Sequence, residues 1–313
     1  VNILDKNTTN LIELGITKTT IERRMMKLFS VIMAGFISLL PFNPSAHAVP
    51  PTQTIAILDT AIDSSKVPNI IHEVCVTNDA TCPNGQKTME GTGAANVPAY
   101  AWNINGMIHG TEVALTAEQA NPNVRIVFVR LDDVHPASQY AAYSNANDQS
   151  LEAGLTWVAN NASKYNISAV SISQTRYNFT SCPTDTVMQN AINTLKANNV
   201  PVFAGVPDNG IKNQMGFPAC MPNVISVGAS SAQGTPYYFS NYGTVVQFMG
   251  IGRTNVTLPG AGVTAVMGTS IATPWVAALW VERYTGTWQQ QYMAAQTADR
   301  TTLYEGFTYP FIK

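Results

Sequence analysis

Three short segments carry the residue types that acyl transfer needs: a nucleophile, a base, and a group that orients the base. The first is Ile55-Ala56-Ile57-Leu58-Asp59-Thr60-Ala61, an apolar run ending in a carboxylate. The second is Ile108-His109-Gly110-Thr111-Glu112. Histidine is scarce, with 4 in the chain. His47 sits near an apolar leader, His72 falls in a strand-like run, and His135 precedes Pro136 in a loop. His109, beside a glycine at a helix start, is the one best presented to a cleft. The third segment is Gly268-Thr269-Ser270-Ile271-Ala272-Thr273-Pro274. A turn of small residues there delivers Ser270 to a helix N-terminus, and Pro274 suits an early helical turn. Peptide N–H groups and the helix dipole at such an end favour negative charge. An attacked carbonyl oxygen develops that charge. Each segment alone has a plain structural reading: an Asp capping a turn, a packed His, a Ser or Thr N-cap. The chemistry lies in the three together.

Parallel strands would position them. Apolar runs at Thr54–Leu58, Val124–Leu131, Ile167–Ser173, Val200–Val206 and Val224–Ala229 alternate with helical stretches at Gly110–Gln119, Gln149–Ala162 and Asp185–Asn198. Alternating strands and helices imply crossover units and a parallel sheet. The runs are continuous rather than alternating, as expected of strands covered on both faces. The predicted architecture is an α/β sandwich whose mostly parallel central sheet is flanked by helices, with the chemistry at the carboxyl ends of its strands. Residues 77–106, rich in Gly, Asn and Pro, read as a long surface excursion.

Composition narrows the function classes. Of 313 residues, 45% are hydrophobic, enough for a buried core, and only 12% are charged, with a net charge of −2. No basic surplus exists to neutralise phosphates, which argues against a nucleic-acid binder. The aromatic and β-branched content argues against disorder.

Residues 25–48 read as a secretory signal peptide. Lys27 gives the basic start, an apolar run follows from Leu28 to Leu40, and Ala46-His47-Ala48 forms a small-x-small cleavage pattern. The apolar run is too short to span a bilayer, so no stable membrane anchor is expected. Met25 or Met26 is the expected start, which makes residues 1–24 an upstream extension, and residues 49–313 the working domain. The expected location is therefore secreted or periplasmic. Four cysteines follow the leader: Cys75, Cys82, Cys182 and Cys220. An even number in an exported chain suggests two disulfides. Of the three connectivities, Cys75–Cys82 with Cys182–Cys220 is favoured, because Asn78, Pro83 and Asn84 supply turn chemistry at the short loop. No Cys-x-x-Cys exists to seed a zinc site.

The order Asp, His, Ser is that of subtilisin, and over about residues 54–285 the chain resembles the subtilisin-like serine proteases, the subtilases. Asp59 matches the family's Asp-Thr-Gly motif, His109 its His-Gly-Thr-His motif, and Ser270 its Gly-Thr-Ser-Met-Ala-x-Pro motif. The segments Gly216–Ala229 and Phe239–Gly243 agree as well. The resemblance implies a subtilisin-like three-layer fold and an endopeptidase acting on protein or peptide substrates. Ser270 would be the nucleophile, His109 the base, and Asp59 the group that orients it. The Ser270 N–H would be one oxyanion donor. Substrate would lie between Ser173-Gln174-Thr175 and Ala204-Gly205-Val206, over a floor at Gly216. No charge lines these stretches, so a preference for large apolar residues before the cut is expected. No cofactor is required and a monomer is expected. Calcium stabilises many subtilases, yet no calcium or other metal site is readable here.

The departures from the family pattern are specific. Counting back from Gly210 puts Asp208 on the family's oxyanion Asn, with Pro207 in place of the preceding glycine; a one-residue slip of the loop would bring Asn209 there instead. An ionised Asp repels an oxyanion, and only its protonated form donates. Because His109 must be neutral while Asp208 is protonated, a narrow optimum at mildly acidic pH is expected. Ala61, Glu112 and Leu115 replace a Gly, the second His and a Gly of the family motifs. Only ten residues separate Ala48 from Asp59, where secreted subtilases carry a folding propeptide. These departures sustain one rival: a subtilase fold that has lost efficient catalysis and serves as a binding or interaction module. An esterase is excluded because no His follows Ser270. A metalloenzyme lacks His-Glu-x-x-His. A sedolisin-like protease has a Glu/Asp pair where His109 stands.

Overall fold

The computed structural model describes residues 53–101, 106–134, 148–179, 181–258, 260–297 and 300–313. The leader, its cleavage site and His135 lie outside these residues. The described strands are β1 (Thr54–Asp59), β2 (Ile70–Val76), β3 (Thr88–Glu90), β4 (Arg125–Arg130), β5 (Ile167–Ile172), β6 (Arg176–Phe179) and β7 (Val202–Gly205). They continue with β8 (Met215–Phe217), β9 (Val224–Ser230), β10 (Phe248–Ile251), β11 (Arg253–Leu258), β12 (Gly262–Met267), β13 (Thr301–Tyr304) and β14 (Phe307–Ile312). The helices are α1 (His109–Ala120), α2 (Asp148–Tyr165), α3 (Thr186–Ala197), α4 (Thr269–Arg283) and α5 (Trp288–Gln296).

A 10-stranded sheet runs β13-β14-β10-β9-β7-β5-β1-β4-β2-β3. Its ladders are parallel except for β2–β3 and β13–β14 at the two edges. β1 lies in the middle, between β4 and β5. Its side chains feed both faces. Ile55 and Ile57 pack with Val113 and Ala117 of α1, Val276 and Trp280 of α4, and Ala295 of α5. Ala56 and Leu58 pack with Leu155 and Val158 of α2 and Ile192 and Leu195 of α3. The result is three layers, helices–sheet–helices. Each fully buried Ile or Leu contributes about 1.5–3 kcal/mol, so the continuous apolar run of β1 is the signature of a strand covered on both sides.

In the stretch read as a surface excursion, residues 83–88 are exposed, while Ala94, Ala95, Val97 and Ala101 are buried and the Glu73 carboxylate accepts the Gly93 and Ala95 N–H groups. The C-terminal strands β10, β13 and β14 extend the sheet beyond the crossover pattern read from the sequence. The cysteines pair as favoured, Cys75 with Cys82 and Cys182 with Cys220.

Candidate active site

β1 ends at Asp59, which is fully buried. Its Oδ1 accepts the N–H of Thr60 at 2.7 Å and faces His109 Nδ1 at 2.7 Å. Thr60 ties the two segments together: its hydroxyl donates to the Met107 carbonyl and accepts the Gly110 N–H. The glycine after His109 has a steric cause. A Cβ on Gly110 would lie 2.5 Å from the Ala61 carbonyl oxygen and 2.5 Å from Phe128 Cζ. Only glycine lets α1 start this close to the end of β1, and that approach brings the imidazole to the carboxylate.

His109 is 18% exposed. Burial pulls its pKa down, but the Asp59 charge and hydrogen bond outweigh this, helped by Glu112 and Asp132, and lift it to about 9. Glu112, on the first turn of α1, is itself pushed up by burial, against the pull of His109.

Ser270 sits on the first turn of α4, half-buried. Its carbonyl accepts the Ser173 hydroxyl at 2.8 Å. Asp208 comes to the same helix end: its Oδ1 and Oδ2 lie 3.0 and 3.2 Å from the Thr269 N–H. A Cβ on Gly268 would fall 2.7 Å from Ser270 Oγ and 3.0 Å from Asp208 Oδ2, so hydroxyl and carboxylate share one small space. Asn209 is turned away, its Nδ2 donating to the Gln214 side chain. Desolvation pushes the Asp208 carboxyl up, opposed by its Thr269 hydrogen bonds and by His109. The residue is nevertheless exposed in the empty groove, so water weakens that push until a substrate displaces it. The lift on His109 moves upward the pH at which a neutral imidazole is available.

The walls named for the primary pocket meet one another. Thr175 donates its hydroxyl to the Gly205 carbonyl at 2.9 Å. A Cβ on Gly216 would lie 2.7 Å from Pro207 Cδ and 2.8 Å from Thr175 Cγ2. Pro207 and Thr175 thus pack directly against Gly216, and Gly216 with Val206, Met215, Ala219, Met221 and Val245 lines a cavity beside that contact. Gln174 is half-buried, Ala204 and Val206 are buried, and the Val206 carbonyl accepts the Thr269 hydroxyl at 2.6 Å.

The sequence reading passed over Asp132, which follows β4 and whose charge acts on His109. Its signal was present: Arg130-Leu131-Asp132-Asp133 places charges at the end of an apolar strand. Among the described residues, no group of three or more His, Cys, Asp or Glu is placed to hold a metal ion, and no helix is long and apolar enough to cross a membrane.

A family model described as the subtilase family matches residues 51–302. Alkaline elastase YaB of Bacillus sp. (strain YaB) is 31% identical over 188 residues, covering 59% of this chain and 47% of the relative. Subtilisin Savinase of Lederbergia lenta is 29% identical, covering 59% and 66%. The chain thus spans about half the length of the first of these relatives. A protease of Pseudoalteromonas arctica PAMC 21717 shares the fold, with a TM-score of 0.60 and 19% identity over 79% of this chain and 83% of that one.

Proposed function

Since the chain belongs to the subtilase family, we propose that it is a serine endopeptidase in which Ser270, His109 and Asp59 act as one catalytic unit. The observation that carries the reading is the 2.7 Å contact from His109 Nδ1 to the buried Asp59 carboxylate, at the start of the helix that faces the Ser270 segment. In the proposed reaction Ser270 Oγ attacks the scissile carbonyl, and His109 takes the hydroxyl proton on Nε2. His109 then gives that proton to the leaving amine. Asp59 holds the tautomer that keeps Nε2 free and stabilises the imidazolium. The Ser270 N–H at the head of α4 faces the developing oxyanion, and Asp208 stands where a second donor is needed.

The uncharged stretches Ser173–Thr175 and Ala204–Val206, with the cavity that Val206 and Gly216 line beside Met215, Ala219, Met221 and Val245, support a preference for large apolar residues before the cut. Two disulfides fit an oxidising compartment, consistent with export after cleavage near Ala48. The expected substrates are proteins or peptides, taken by a monomer without a cofactor.

A second reading has an observation of its own. A carboxylate beside Ser270 is what a subtilase fold kept for binding would carry. Fluorophosphonate labelling separates the two, because phosphonylation needs an activated serine. The expected result is labelling of the chain from Val49 onward, with casein hydrolysis at alkaline pH, both abolished in folded Ser270→Ala. Undiminished hydrolysis by that variant would remove the assignment, and an unlabelled, folded parent would favour the binding module.

A further inference from the structure

β1 and β4 lie side by side in parallel register, with Asp59 opposite Arg130. The Leu131 N–H donates to the Asp59 carbonyl at 2.9 Å. The next residue, Asp132, is 1% exposed, and its Oδ1 has no hydrogen-bond partner among the described residues. Its charged neighbours do not satisfy it. Arg130 gives Nε to the Asp132 carbonyl at 3.1 Å and Nη1 to the Asn96 carbonyl at 3.4 Å, while its Nη2 is buried with no hydrogen-bond partner among the described residues. Asp133 points elsewhere, accepting the Asn78 and Asp79 N–H groups and the Thr81 hydroxyl. A buried carboxylate oxygen without a hydrogen bond is costly to keep. It persists here at the end of the strand that neighbours the candidate base's own carboxylate.

We propose that Asp132 is a positioning residue for the base: a second buried carboxylate that, with Asp59, holds positive charge on His109 and sets the pH above which the imidazole can accept a proton. The proposal rests on the reading of His109 as the base.

The charges facing this cluster are Asp59 from β1, His109 and Glu112 from α1, Arg130 and Asp133 from the chain beside Asp132, and Asp208, which faces His109 from the loop after β7. Tyr100 lies beyond, facing Arg130. Burial first, then the charge of Asp59, push Asp132 up to about 8, against His109 and Arg130. Asp132 in turn is one of the charges that raise His109 to about 9. Once ionised, Asp132 favours keeping the proton on its neighbour.

Asp132→Asn keeps the shape and removes the charge. The test is a proton NMR titration of the His109 ring in full-length Ser270→Ala, with and without Asp132→Asn, the signal being assigned by its loss in His109→Gln. The His109 midpoint should fall by about one pH unit, the lower end of what a close charge produces. His72, on β2, should not move. In the chain with Ser270 intact, the acid limb of kcat/KM should shift down by the same amount, and Asp132→Glu should restore it. An unchanged His109 midpoint in folded Asp132→Asn would overturn the proposal. If that variant does not fold, Asp132→Leu offers the same readout in an apolar filling of the site. A shifted titration in a chain that hydrolyses nothing would uphold the role of Asp132 and sink the reading of the site as a protease.

Discussion

Replacing Asp208 by Asn should make the enzyme faster, and the size of the gain follows from the geometry. Two carboxylate oxygens share the Thr269 N–H at 3.0 and 3.2 Å, and one amide oxygen can hold that N–H alone. The amide nitrogen would then fall where Oδ2 now lies, on the Ser270 side of Gly268. That turns an acceptor into a neutral donor aimed at the oxyanion. Loss of one such donor in a subtilisin costs about 10²–10³ in kcat, or about 2.7–4 kcal/mol. A gain on the order of 100-fold is therefore expected at the alkaline plateau, where His109 is neutral. The opposing effect is smaller. A negative charge at the head of α4 stabilises the helix dipole by about 0.3–1 kcal/mol, and exposure of Asp208 keeps this at the low end. A fall in Tm of about 2 °C is the most that should appear for a domain of this size. The assay is kcat and KM for a peptide anilide with Leu before the cut, from pH 6 to 11, beside a thermal melt. A rise in kcat with little change in KM is the signature of an interaction made only in the transition state. Unchanged kcat in a folded Asp208→Asn would refute the placement of Asp208 at the oxyanion. Asn209 would then have to leave Gln214 to serve.

Peptide anilides with Leu or Phe before the cut should be cleaved with kcat/KM about 10-fold or more above that with Gly there, since each methylene buried is worth about 0.8 kcal/mol. A flat profile would place the primary pocket elsewhere. Stability should decline with pH across the neutral range. His109, raised from 6.5 to about 9, stabilises the fold fully below pH 6.5 and loses that contribution as pH rises through 9. Asp132, raised from 3.8 to about 8, binds its proton more tightly in the folded state, so its effect also fades as pH rises towards 8. Thermal melts should show Tm falling from pH 6 to pH 9, with a flatter slope in Asp132→Asn; a Tm that rises over this range would contradict both shifts.

The sequence by itself determined the frame. Continuous apolar runs such as Ile55–Leu58 can be satisfied only by burial on two faces, so the central sheet and its two helical layers were legible. The segments bearing Asp59, His109 and Ser270 were legible too, because chemistry of this kind needs particular residue types at strand ends and helix starts. Turn chemistry between Cys75 and Cys82 pointed to the pairing found. What only the tertiary structure decided is what those segments meet. Nothing in the spelling of Thr175, Pro207 and Gly216, separated by up to forty residues, says that a methyl and a ring pack against a glycine. The same holds for the loop after β7, whose turn sends Asp208 to the head of α4 and Asn209 to Gln214. The charges at the end of β4 are visible in the sequence, but the meaning of Asp132 comes from the register of β4 on β1, which sets Asp59 opposite Arg130, two residues before it. Local pattern records which face of an element is apolar; contacts between side chains distant in the chain depend on crossovers and register, which a one-dimensional pattern does not carry.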